Sequence, residues 1–170
     1  SNSAYNNRRA ACELAVQILR SIMPEITDLR DVPPGEFTRY AYLLTPEVRK
    51  RARHVVDECA RVEQAAASLE AGDVQNFGKL MFEGHASLRD YYEVSSPELD
   101  ALVEIAGAID GCYGARLTGA GFGGCTVNLV VESAAEKFIE LLKEGYQQKI
   151  NRSAEVYLCH ASQGAHVIHL

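Results

Sequence analysis

Arg116-Leu117-Thr118-Gly119-Ala120-Gly121-Phe122-Gly123-Gly124-Cys125 decides how this chain reads. Short apolar runs stand on both sides, Tyr113 to Leu117 and Cys125 to Val131, each rich in β-formers, so the stretch joins two strands. Glycine at 119, 121, 123 and 124 lets the main chain take positive φ and leaves its N–H groups unshielded by Cβ atoms, as phosphate-cradling loops require. There is no Gly-Lys-Ser/Thr ending, which excludes a Walker loop, and a strand rather than a helix follows, which counts against a dinucleotide fingerprint. Two readings stay open on mechanics alone: a loop close to phosphate, or a tight glycine hairpin between packed strands.

Outward from that loop the chain divides in two. Towards the C-terminus, Ser133-Ala134-Ala135-Glu136 reads as a capping box opening a helix over Phe138 to Ile150. Two further strands are expected at Glu155 to Cys159 and His166 to Leu170. Towards the N-terminus everything reads as helix. Cys12, Ala15, Val16, Leu19, Ile22 and Met23 recur at helical spacing until Pro24. Leu29 to Leu44, with Pro33-Pro34-Gly35 inside it, is a turn and a short amphipathic helix. Thr45-Pro46 starts a long helix whose inner face is Val48, Ala52, Val55, Cys59, Val62, Ala66 and Leu69. Arg49, Lys50, Arg51 and Arg53 crowd its first turns and read as a solvated face. Gly72-Asp73 ends that helix and caps the next, and Ser96-Pro97 caps a fourth. The expected class is α+β, with several long helices packed on one face of a mostly antiparallel four-stranded sheet.

Composition narrows the function classes. The 170 residues and 47% hydrophobic content suit one domain with a sizeable core. A net charge of −6 offers no basic field for nucleic acid, and no run of about 18 apolar residues is present to span a membrane. Cys12, Cys59, Cys112, Cys125 and Cys159 form no CxxC pair and read as buried reduced thiols of a cytoplasmic protein. Ser1-Asn2 lacks a signal-peptide pattern and resembles residues left by an expression tag.

Between the third and fourth helices, the polar segment from Gly84 to Asp100 reads as a loop that could line a cleft. His85, Ser87 and Asp90 do not converge as a nucleophilic set on a helix end. Arg89 is expected to pair with Asp90 or Glu93 rather than with phosphate, and His160, His166 and His169 read as solvated rather than as metal ligands.

The run from His85 to Asp100, with its Ser-Leu-Arg-Asp-Tyr-Tyr-Glu-Val-Ser, followed by Gly114 to Cys125, closely resembles the C-terminal half of galactokinases, within the GHMP small-molecule kinase superfamily. Ser3 to Glu13 looks like the start of that half, and Glu155 to Cys159 with Gly164-Ala165 looks like its end. Ser95-Ser96-Pro97 departs mildly from the family's usual Ser-Cys-Pro. The resemblance implies that residues 1–170 form one ferredoxin-like GHMP C-terminal domain. Its partner, an N-terminal domain with the sugar-recognition segment, the Pro-x-x-x-Gly-Leu-Ser-Ser-Ser phosphate loop and the catalytic aspartate, has no counterpart in these residues.

The complete enzyme would transfer the γ-phosphate of ATP, with Mg²⁺, to galactose, while the isolated domain would be inactive and prone to self-association. By the same resemblance Gly119, Ala120, Gly121, Phe122, Gly123 and Gly124 buttress the phosphate loop near the nucleotide, and Tyr5 touches the sugar. No catalytic residue and no metal ligand falls in this chain. A kinase for N-acetylgalactosamine, arabinose or a uronic acid, or a non-catalytic galactose- and ATP-binding sensor module, would share this half. Gly121→Val is expected to impair turnover more than stability.

Overall fold

The computed structural model describes residues 2–162, 164 and 167. Helices fill the first half: α1 (Asn2–Leu19), α2 (Pro34–Tyr40), α3 (Pro46–Glu70), α4 (Val74–Ser87) and α5 (Pro97–Gly107). Two strands follow, β1 (Cys112–Thr118) and β2 (Cys125–Val130), and then α6 (Ala135–Ile150). Several boundaries are the expected ones. Pro46 opens α3, Gly72 takes φ +70° to end it, and Asp73 then accepts the N–H of Asn76 at 3.0 Å to cap α4. Ser96 caps α5 by accepting the N–H of Leu99.

Other expectations are corrected. Ser133 does not cap α6: it lies in a 3₁₀ turn, Glu132–Ala134, whose tight winding starts the helix directly at Ala135. The Gly84–Asp100 segment is not a loop at its start, because α4 runs on to Ser87 and continues as a π-helical turn, Leu88–Tyr92. Among the described residues the sheet has two strands, not four. Glu155–Cys159 pairs with no strand among the described residues, with Val156 against the core and Tyr157 and Leu158 exposed. β-former content gives a segment the capacity to be a strand, and only a partner edge makes it one. The strand expected at His166–Leu170 lies, but for Val167, outside the described residues.

The inner face of α3 is also displaced. Val48, Ala52 and Val56 are buried, but so are Arg51 and His54, whereas Val62 and Leu69 are exposed. The expected solvated run therefore contains a buried arginine, since Arg51 finds partners 40 and 42 residues away in sequence. The cysteines are all free, with Cys125 and Cys159 exposed and the other three half-buried rather than buried.

Three apolar clusters hold the fold. The first joins α1, α2 and α3 through Leu19, Phe37, Leu44, Ala52 and Val56. The second joins α5, β1 and α6 through Ala106, Ala115, Phe138 and Leu142. The third is small and lies next to the glycine loop: Leu88, Val94, Leu99 and Leu117, each worth roughly 2 kcal/mol in removed apolar surface. α4 meets β1 at Gly78 and Gly114, where a Cβ on either residue would overlap the other segment's main chain. β1 and β2 pair antiparallel from Gly114↔Leu129 to Thr118↔Cys125, so residues 119–124 close the hairpin. No helix among the described residues is long and apolar enough to cross a membrane.

Candidate functional site

The loop 119–124 is a hairpin connection whose backbone is left-handed at five of six positions: Gly119 (φ +85°), Gly121 (+80°), Phe122 (+60°), Gly123 (+122°) and Gly124 (+98°). Its glycines divide by what surrounds them. A Cβ on Gly119, Gly123 or Gly124 would meet nothing within 4 Å, whereas one on Gly121 would overlap the carbonyl of Val94. Phe122 adds a second tie to the same residue, donating its N–H to the Val94 carbonyl at 2.6 Å. Among the described residues no other loop N–H has a main-chain acceptor. The loop is thus fixed at its middle and open on either side, with its amides available to an incoming oxygen.

Val94 is itself held firmly. The residue before it, Glu93, takes a left-handed conformation (φ +54°, ψ +54°) at the end of the π-helical turn. Arg51 donates to the Tyr91 carbonyl and to the Glu93 carboxylate, both at 2.5 Å, and Lys50 donates to the other carboxylate oxygen at 3.1 Å. Those bonds bring the Glu93 carboxyl down to about 2. From α1, Arg8 donates to the carbonyls of Tyr92 (2.6 Å) and Glu93 (3.1 Å). Tyr5 stands one turn earlier on the same helix, 54% exposed. The helix carrying Tyr5 and the glycine loop therefore lean on one three-residue stretch, Tyr92 to Val94.

Behind this stretch runs a buried polar seam. His54 shares a hydrogen bond with Ser87 (Nδ1 to Oγ, 2.9 Å) and packs its ring 4.6 Å from that of Tyr92. Burial lowers His54 to about 4 and raises the Tyr92 hydroxyl to about 12, the latter helped by Cys12. Farther along α3, Glu58 pairs with Arg61 and with Arg116 of β1 (2.7 Å to Arg116). Burial pushes the Glu58 carboxyl up, but the two arginines more than offset it and leave it below its ordinary value. In α4, His85 accepts the N–H of Leu117 at Nδ1 (3.3 Å) and meets Asp100 through Nε2 (3.1 Å).

His85, Ser87 and Asp90 do not converge: His85 bonds to Leu117 and Asp100, Ser87 to His54, and Asp90 to Arg89. The Arg89–Asp90 pairing is the expected one. His160 is exposed, while His166 and His169 lie outside the described residues. Sequence reading missed Arg8, His54 and the buried Arg51. The spacing 51, 54, 58, 61 is helical and was available, but it traces a polar stripe that is indistinguishable from a solvated face without its partners. No cluster of three or more His, Cys, Asp or Glu among the described residues could hold a metal ion.

Residues 65–148, which include α4, α5, both strands and the loop, match the family model described as GHMP kinases C terminal. The chain carries a GHMP kinase C-terminal domain. It is 51% identical over 162 residues to the galactokinase of Roseiflexus sp. (strain RS-1), covering 95% of this chain and 41% of that protein. It is 46% identical over 168 residues to the galactokinase of Homo sapiens, with 99% and 41% covered. Among solved structures it is similar to the Lactococcus lactis galactokinase complexed with galactose, at a TM-score of 0.87 and 36% identity, covering 91% of this chain and 40% of that one. The chain spans about two fifths of the length of the galactokinases it matches. The GHMP match includes His85 and the glycine loop, whereas Arg8 and Arg51 lie before it in sequence.

Proposed function

We propose that residues 1–170 are the C-terminal domain of a galactokinase and form one wall of its phosphoryl-transfer site, the other wall being an N-terminal GHMP domain. The observation that carries this reading is the open cradle at Gly119, Gly123 and Gly124, anchored through Phe122 to Val94, on a chain half identical to a galactokinase. A Cβ at any of the three would occupy the space that a phosphate or a phosphate-bearing loop would use, which is the fit expected for ATP. MgATP supplies the γ-phosphoryl group when bound. Mg²⁺ would be held by the phosphates and by carboxylates of the partner domain.

Within this chain the division of labour is positional. The loop presents amides with little reorganisation, because its backbone is already left-handed and its centre is pinned. Gly119, Ala120, Gly121, Phe122, Gly123 and Gly124 thus stand near the nucleotide, and Tyr5, exposed above Arg8, faces the sugar. Galactose would be phosphorylated at its 1-hydroxyl, with the proton taken by a base of the partner domain. Free, exposed thiols at Cys125 and Cys159 suit a reducing cytoplasm. A groove of about 250 Å³ bounded by Val62, Phe77, Met81 and Val127 leaves apolar surface that favours self-association of the domain alone.

The test is galactose-dependent ADP release from a chimera in which this chain replaces the matching part of the Roseiflexus galactokinase. Turnover within about tenfold of the parent is expected. A folded chimera that binds galactose or ATP without turnover would turn the reading to a sensor module. Preference for N-acetylgalactosamine, arabinose or a uronic acid would reassign the sugar.

A further inference from the structure

We infer that His85 is a positioning residue for the glycine loop, acting through the amide of Leu117 and the carboxylate of Asp100; its catalytic consequence rests on the phosphoryl-transfer reading above. The ring is 3% exposed in the last turn of α4, and its two nitrogens hold two different elements. Nδ1 accepts the N–H of Leu117 at 3.3 Å, so Nδ1 carries no proton. The proton therefore resides on Nε2, which donates to Asp100 Oδ1 at 3.1 Å. Ser95 Oγ donates to that same oxygen at 2.5 Å.

These contacts tie both anchors of the loop together. Leu117 precedes Gly119 by two residues and gives its N–H to His85. Ser95 follows Val94, whose carbonyl receives the N–H of Phe122. The path Leu117, His85, Asp100, Ser95 thus joins the loop's entrance to the residue that pins its centre. A protonated ring would donate from both nitrogens and push the Leu117 N–H away. Burial holds the ring neutral, aided by Arg89 of the π-helical turn and Arg116 of β1, with Asp100 of α5 opposing. Arg8 and Arg51 hold Tyr91 to Glu93 independently, so the His85 link acts on the loop and not on the whole fold.

Two substitutions separate positioning from packing. In His85→Asn the side-chain oxygen takes the place of Nδ1 and keeps an acceptor for Leu117. In His85→Gln the amide nitrogen takes the place of Nε2 and keeps the donor to Asp100, but Leu117 loses its acceptor. In the 170-residue chain, His85→Gln should speed amide exchange at Leu117 and at Phe122 by about tenfold or more, while His85→Asn stays within about threefold and the amides of α1 and α3 are unchanged in both. In the active chimera, His85→Gln should lower kcat by about tenfold with KM for galactose within about threefold, and His85→Asn should restore kcat. Equal exchange at Phe122 in the two variants, acceleration spread evenly over the fold, or a ring NMR signature showing the proton on Nδ1 would overturn the inference. An inactive chimera with the expected exchange pattern would instead refute the kinase reading and leave the His85 link standing.

Discussion

Gly78 faces the main chain of Tyr113 and Gly114 faces that of Gly78, whereas Gly119, Gly123 and Gly124 have nothing within 4 Å of a Cβ position among the described residues. The same residue type thus serves two opposite needs a few residues apart on β1. At the α4–β1 crossing glycine brings two backbones into contact, and in the loop it leaves space unfilled. Gly121 belongs with the first group although it sits among the second, because the Val94 carbonyl occupies its Cβ position. The glycine-rich string is therefore part scaffold and part opening.

The hardest test of this division is the crossing itself. Gly78→Ala would drive a methyl into the carbonyl of Tyr113, and Gly114→Ala would drive one into the backbone of Gly78. Main chain cannot swing aside as a long side chain does, so helix and strand must part along their whole contact. Urea unfolding should show a loss of about 3 kcal/mol or more for either variant. A loss below about 1 kcal/mol would show that α4 and β1 separate easily and would erase the distinction.

A second way to disturb the packed side leaves every glycine in place. His54 is neutral when folded, with its value lowered by burial from an ordinary 6.5 to about 4. Below 6.5 the unfolded chain takes up a proton that the folded chain refuses, so the unfolded state gains as pH falls. The stability present above 6.5 should decline as pH drops towards 4, by about 3 kcal/mol if His54 acts alone. His85 is shifted in the same direction and adds to the decline. His54→Gln, measured by urea unfolding at pH 7 and pH 4.5, should flatten this slope. An unchanged slope would place the acid sensitivity elsewhere.

The loop gives a smaller effect on stability and a larger one on turnover. The sequence expectation that Gly121→Val would harm turnover selectively is revised, since the collision with Val94 disturbs the anchor and the stability together. The selective substitution is Gly123→Ala, which adds backbone strain of about 1 to 2 kcal/mol in open space. Its thermal shift should be less than half that of Gly121→Val, while turnover in the chimera should fall by about tenfold or more. Equal ratios of turnover loss to stability loss in the two variants would reduce the whole loop to scaffold.

Which of these roles could be read in the residues is itself instructive. Local signals were legible: Pro46 at a helix start, Asp73 and Ser96 as caps, and the glycine loop between two strands follow from steric and hydrogen-bond rules acting over a few positions. The α+β order was legible for the same reason. Features that depend on distant partners were not. Arg51 looks solvated until Glu93 and Tyr91 are placed beside it, and Glu155–Cys159 has the composition of a strand but pairs with no other strand among the described residues. At the site, positive φ could be anticipated for each glycine, but nothing in the string distinguishes Gly121 from Gly123. That difference belongs to Val94, some thirty residues earlier.

Gly84 offers the finest test, because its neighbour is neither backbone nor empty space. A Cβ there would come within 2.8 Å of Arg116 Nη1 and 3.5 Å of Glu58 Oε1, both at the ends of side chains. The Arg116–Glu58 pair is about one quarter exposed on its arginine side and one fifth on its glutamate side, so the guanidinium can tilt outward while keeping one oxygen. Helix propensity works the other way, since alanine in a helix interior is favoured over glycine by about 1 kcal/mol. Gly84→Ala should therefore change stability by less than about 1 kcal/mol at pH 7. A loss as large as that of Gly78→Ala would mean that Arg116 is held as rigidly as main chain, and the Glu58–Arg116 pair would then belong with the scaffold that fixes β1 beneath the loop.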